Sequence, residues 1–225
     1  MCAGEGPNRA FVGNMPGKKD TYIVHRTVSL LELLSKFSFW DWFNIDRRGF
    51  GAVDSYVCAW SIASVLSYIL AAVLPTWAST ILIIPGIIRV HEITNFHSLL
   101  LLRGGYAGRS LRSYQRSFLL LGLNVLEIVF WFSLFYSILR QWGLLVVTDD
   151  PVAITILRES VGLMVANASD NFNTQGSVLT SMVLLVHSIV GLFMTAVVLG
   201  HSISLLPAPG NLDKCETSTN DPMPK

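Results

Sequence analysis

Of 225 residues, 52% are hydrophobic and only 14% are charged, whereas about a quarter of the residues in soluble domains carry charge. The mean hydropathy is +0.52, and the apolar residues come in long runs rather than at amphipathic spacing, which excludes an ordinary soluble domain and marks an integral membrane protein. The net charge of +1 says little, because the distribution of basic residues matters more than their sum.

Cys2, Cys58 and Cys215 are scattered, with no pair at metal-ligand or redox spacing, and read as unpaired thiols. Residues 1–27 are polar and glycine-rich, with no apolar core of a cleavable signal; they read as loosely held, and the first true span serves as the insertion signal. From Val28 to Phe43, "VSLLELLSKFSFWDWF", the apolar residues cluster while Glu32, Lys36 and Asp41 take other positions. That predicts an amphipathic helix, either at the membrane surface with Trp40 and Trp42 at headgroup level or packed against the protein itself.

Ser55–Leu74 is twenty residues without a charge, enough to cross a hydrocarbon core of roughly 30 Å, and Pro75 ends it. Trp77–Leu102 is a second span provided that Arg89, His91 and Glu92 face protein or lie near the interface. His91 and Glu92 are adjacent and diverge on a helix, so they make no metal site. The following stretch carries Arg103, Arg109, Arg112 and Arg116 and no acid, which places it in the cytoplasm against anionic lipid rather than nucleic acid. Arg47 and Arg48, just before the first span, belong to the same side.

Ser117–Leu139 is a third span holding Asn124 and Glu127 three residues apart, hence on one helix face. An ionisable group inside a membrane is functional or paired. For Glu127 the choices are a neutral or hydrogen-bonded carboxyl beside Asn124 or a neighbouring helix, or a transport role. Ser177–Leu206 is the fourth span, with His187 and His201 nearly on one face; these are either packed histidines or pH sensors. Four spans put both termini in the cytoplasm and residues 140–176 outside, where Arg140 and Arg158 are the only basic residues.

Between the third and fourth spans, "TDDPVAITILRESVGLMV" has a helix-start signature: Asp150 as N-cap and Pro151 at the first helical position. Ile154, Leu157, Val161 and Met164 then share one face of a short helix over 151–165. It is half a membrane thick and ends in the polar run "ANASDNFNTQG" over 166–176. Helix, short helix, polar loop, helix is the plan of a pore loop; an external helix-and-loop cap has the same pattern.

The segments "RVHEITNFHSLLL", "RSYQRSFLLLGLNVLEIVFWFSLFYS" and "VHSIVGLFMTAVVLGHSISLLP" resemble prokaryotic four-span proteins of the two-transmembrane pore-domain potassium channel superfamily, over roughly residues 55–207. The resemblance implies a homotetramer in which the third and fourth spans and the pore loop surround one pore for monovalent cations. It further implies that Gly191 matches the glycine at which such inner helices bend, close helix packing being the alternative. On the T-V-G-Y-G-D filter of that family lie Ala166, Asn167, Ala168, Ser169, Asp170 and Asn171, so both glycines and the threonine hydroxyl are gone. Ala168 in a left-handed conformation costs about 1–2 kcal/mol per subunit, and a potassium-selective carbonyl queue is not written here. A ring of Asp170 side chains attracts cations without fine choice, and Asn167, Ser169 and Asn171 suit hydrated ions. Asn167-Ala168-Ser169 also spells a glycosylation acceptor, a chance match in a buried loop.

The expectation is therefore an all-α integral membrane protein of the plasma membrane, with four transmembrane helices and a re-entrant pore helix and loop between the third and fourth. It comprises an amino-terminal region (1–54), a two-span hairpin (55–102), a basic loop (103–116), a pore-type domain (117–206, with inner helix 177–206) and a tail (207–225). The expected function is a potassium-channel-like cation channel of altered or weak selectivity. The alternative is a non-conducting structural or regulatory protein on the same scaffold. A transporter using Glu127 lacks the paired broken helices of such proteins. With no nucleophile–base pairing, phosphate loop or zinc motif, neither an enzyme nor a cofactor is expected.

Overall fold

The computed structural model describes residues 22–36, 38–39, 50–102, 114–165, 167 and 171–204, and this part of the chain is mostly helical. In order come α1 (Tyr22–Ser35), α2 (Phe50–Ala71), α3 (Thr76–Ile81), α4 (Ile83–Leu102), α5 (Tyr114–Gln141), β1 (Val146–Val147), α6 (Val152–Met164), β2 (Phe172–Asn173) and α7 (Val178–Ser204). Three helices are long and apolar enough to cross a membrane, through Gly51–Ala71, Phe118–Gln141 and Val178–Gly200. Their outward residues, Ile62, Leu66 and Ile69 on α2 and Leu185, Ile189 and Leu192 on α7, are exposed and apolar, a surface suited to hydrocarbon.

The second expected span is not one helix. It breaks at Leu82 into α3 and α4. Pro85 explains the break: it has no N–H for the carbonyl of Ile81 and its ring collides with the preceding turn, so the helix restarts with Pro85 in its first turn. The twenty residues of α4 extend about 30 Å. Length is therefore not what separates α4 from the three apolar helices; its polar side chains are.

Cross-links between helices give their directions. Arg116 donates to both oxygens of Asp54 at 2.7–3.0 Å near the starts of α5 and α2, and Gln141 donates to the Ala71 carbonyl at 2.6 Å near their ends. These two helices are parallel, so α4 carries the chain back between them. Thr180 donates to the Leu144 carbonyl at 3.0 Å, which sets the start of α7 beside the end of α5 and makes that pair antiparallel. Trp131, Phe132, Leu134, Tyr136 and Ile138 of α5 are buried, and this helix is the centre of the core. At Gly86 of α4 an added Cβ would come within 2.7 Å of Trp131 and 2.8 Å of Phe135, so α4 lies directly on those rings.

The amino-terminal helix begins at Tyr22, before the expected Val28, so residues 22–27 belong to a helix rather than to a loose segment. It packs on the protein, the second of the two arrangements expected. Asn95 donates to the Leu31 carbonyl at 3.0 Å and His91 Nε2 lies 3.4 Å from that of Leu34, a register that runs α1 antiparallel to α4. Leu30 and Leu33 stay exposed. Trp40, Trp42, Arg47, Arg48, Arg103, Arg109, Arg112 and the tail lie outside the described residues.

Candidate functional site

The short helix α6 is suspended between α5 and α7. Its N-cap is Pro151, in extended conformation and without a side-chain cap, so the expected cap by Asp150 is not formed; Asp150 instead joins Pro151 through a cis peptide bond. Near its start, the Ala153 carbonyl accepts a 2.5 Å hydrogen bond from Tyr68, close to the end of α2. Two turns further on, Ser160 donates to the Val129 carbonyl at 3.0 Å, about midway along α5. At the last turn, Thr195 donates to the Met164 carbonyl at 3.3 Å, and the Met164 backbone lies against Gly191, midway along α7. Thirteen residues, about 20 Å of helix, thus run from one end of the bundle to its mid-height.

Beyond Met164 the helix stops at Val165, and the N–H groups of Val165 and Asn167 both donate to the Gly162 carbonyl, at 3.1 and 2.9 Å. By Asn171 the chain has returned to the end it left. Thr148 N–H donates to the Asn171 carbonyl at 3.3 Å, and β2 pairs antiparallel with β1, Val147 opposite Phe172 and Val146 opposite Asn173. Of the six filter-like positions, Ala166, Ala168, Ser169 and Asp170 lie outside the described residues; the Asn167 side chain is exposed.

Asn171, expected to suit a hydrated ion, makes side-chain hydrogen bonds within the protein. Its amide donates to Glu159 at 2.6 Å and its oxygen accepts from Thr148 at 3.4 Å. Glu159 is not among the residues expected at this site, although a carboxylate in so apolar a helix signals a polar contact. The exposed Arg158 bridges Asp149 and Glu159, each at 3.2 Å, and these carboxylates, Asp149 first, hold its guanidinium proton more firmly than usual.

The buried face of α6 also differs from expectation. Thr155, Ile156, Glu159, Ser160, Leu163 and Met164 face the protein, whereas Ile154 and Val161, expected to share one face with Met164, are 64% and 49% exposed. The rule that apolar residues face inward assumes water outside. Where the surroundings are apolar, hydrogen-bonding side chains turn to the protein; the outward face of α6 carries Ile154, Val161 and Val165 together with Arg158, whose guanidinium is held by Asp149 and Glu159.

The second polar centre lies around Glu127, fully buried on α5. Arg89 donates to it through Nε at 2.7 Å and a terminal nitrogen at 3.0 Å, and Trp131 Nε1 adds a third bond at 3.2 Å. The other terminal nitrogen of Arg89 donates to Glu92 at 2.8 Å, and Glu92 also accepts from Tyr56 at 2.9 Å and Ser38 at 2.5 Å. The guanidinium carbon lies 4.8 Å from the ring centre of Tyr56 and 5.7 Å from that of Trp60. Glu127 is therefore a paired carboxylate. Asn124 is not its partner; the Asn124 amide nitrogen lies 3.4 Å from His97 Nε2.

His187 is buried against α5 rather than facing outward. Its Nδ1 lies 2.8 Å from the Tyr136 hydroxyl and its ring stacks on Phe132 at 3.9 Å, while Tyr136 packs on Phe172 of the returning segment. The side chain of His201 lies outside the described residues. Among the described residues no group of three His, Cys, Asp or Glu side chains is arranged to hold a metal ion. No protein-family model, curated protein or solved structure matches the chain.

Proposed function

We propose that the chain is one subunit of a tetrameric, weakly selective cation channel of the plasma membrane, with α6 as a re-entrant pore helix. The observation that carries this reading is where α6 stops: its last turn is held at mid-height by Ser160 on Val129 and by Thr195 and Gly191 on Met164, and the chain then returns to the end it came from. Irregular backbone at such depth is tolerated only inside protein or beside water. The exposed Asn167 side chain at that level calls for a water-filled space, which copies of the chain arranged around an axis provide. The carbonyl end of α6 carries a partial negative charge suited to a cation.

In this reading α2, α4, α5 and α7 cross the membrane alternately, α4 being admitted because Arg89 and Glu92 are paired within the bundle. Both termini then lie in the cytoplasm, where the basic stretch around Arg116 meets anionic lipid. With both filter glycines replaced, selection rests on side chains, chiefly a ring of Asp170. The bidentate Arg89 grip supports a structural role for Glu127 in this reading.

The test is cation flux from liposomes holding the purified chain, comparing potassium with sodium, for the native protein and Asp170→Ala. The expected result is flux that discriminates little between the ions and falls several-fold in the variant. A verified tetramer without flux would overturn conduction and leave a scaffold or regulatory protein.

A further inference from the structure

An ideal Cβ built on Gly191 would lie 2.7 Å from the Met164 carbonyl oxygen, 2.8 Å from Met164 Cα and 3.0 Å from the Leu163 carbonyl oxygen. All three are backbone atoms, so no rotamer change relieves the contact. Gly200 on the same helix and Gly122 on α5 meet nothing within 4 Å, and Gly86 meets only side chains so closely, so among the described glycines a close approach to backbone is found at position 191. One turn further along α7, on the same face, Thr195 donates to the Met164 carbonyl. The helix runs unbroken through both residues from Val178 to Ser204.

We propose that Gly191 is the seat of the last turn of α6, not a bend point in α7, and that Gly191 and Thr195 together make the carbonyl end of α6 travel with α7. The opposite side of that turn is tied to α5 by the hydrogen bond from Ser160 to the Val129 carbonyl and by packing in the shared core. A shift of α7 relative to α5 therefore cannot leave the end of α6 in place: either the Ser160 bond stretches or α6 tilts. Gly191 and Thr195 are positioning residues in this sense, holding the end of α6 without themselves meeting an ion. The consequence for permeation rests on α6 being a pore helix, because only then does the coupling let the inner helix adjust the ion path. The seat itself does not depend on that reading.

Hydrogen exchange on the full chain in lipid nanodiscs tests the seat. In Gly191→Ala, the Val165 and Asn167 amides, both bonded to Gly162, are expected to exchange about tenfold faster or more, with α7 amides little changed and Gly200→Ala matching the native chain. Native-like exchange over residues 160–171, with change confined to α7, would make Gly191 a bend point and overturn the proposal. Should Gly191→Ala fail to fold, Thr195→Val and Thr195→Ser decide. Faster exchange at Val165 and Asn167 in the valine variant only supports the seat, and equal behaviour of the two overturns it. Absence of cation flux from native liposomes, with the exchange pattern as expected, would dismiss the pore reading and leave the seat standing.

Discussion

Arg89 answers two carboxylates with one guanidinium, giving two of its nitrogens to Glu127 and the third to Glu92, with its plane close to Tyr56 and Trp60. In a low-dielectric interior, removing one partner of such a pair leaves a stranded charge, at about 3–5 kcal/mol. Arg89→Met strands two carboxylates, so it is expected to cost at least that much and to lower the thermal unfolding midpoint in detergent further than Glu127→Gln, which leaves Arg89 on Glu92. A smaller loss for Arg89→Met would mean that the pairing is not what holds this region. Glu127 announced itself in the sequence by its apolar surroundings. Its partner did not: Arg89 is 38 positions away, whereas Asn124 is local and on the same helix face. Local spacing identifies residues able to meet, and only the packing of α4 on α5 decides which do.

At the scale of elements, α6 and the segment after it show how far pattern alone reached. The limits of α6 were legible because a proline opens it and the polar run "ANASDNFNTQG" closes it. Its orientation was not, since periodicity places apolar residues on one face without saying whether that face meets protein or lipid. The interruption at Leu82 was likewise legible in principle, through Pro85, but was hidden inside a long apolar run. The return of the chain depends on Glu159 and Asn171, twelve positions apart with no shared periodicity. Asn171→Ala removes a hydrogen bond to a carboxylate, worth about 1.5–3 kcal/mol. It is expected to speed exchange of the Thr148 amide, which donates to the Asn171 backbone, while leaving the middle of α5 protected. Unchanged exchange at Thr148 would show that the β1–β2 pairing holds the segment without the Glu159 link.

For the whole molecule, the packing of one chain leaves α6 half-covered. The inner sides of α6 are sealed by α5 and α7, yet Ile154, Val161 and Val165 of α6 and Leu185, Ile189 and Leu192 of α7 remain exposed. Asn167, just past the end of α6, has an exposed side chain. Lipid covers the apolar residues at no cost, but it does not solvate the exposed Asn167 side chain at mid-height. Several copies meeting along α6 and α7 satisfy both demands, apolar faces against one another and the Asn167 segments toward a shared aqueous axis. Subunit number is thus the property on which the channel reading depends most directly, and native mass spectrometry of the chain released from lipid nanodiscs measures it. Four copies per particle is the predicted result; a monomer or a dimer would contradict the account, because neither encloses an axis with α6.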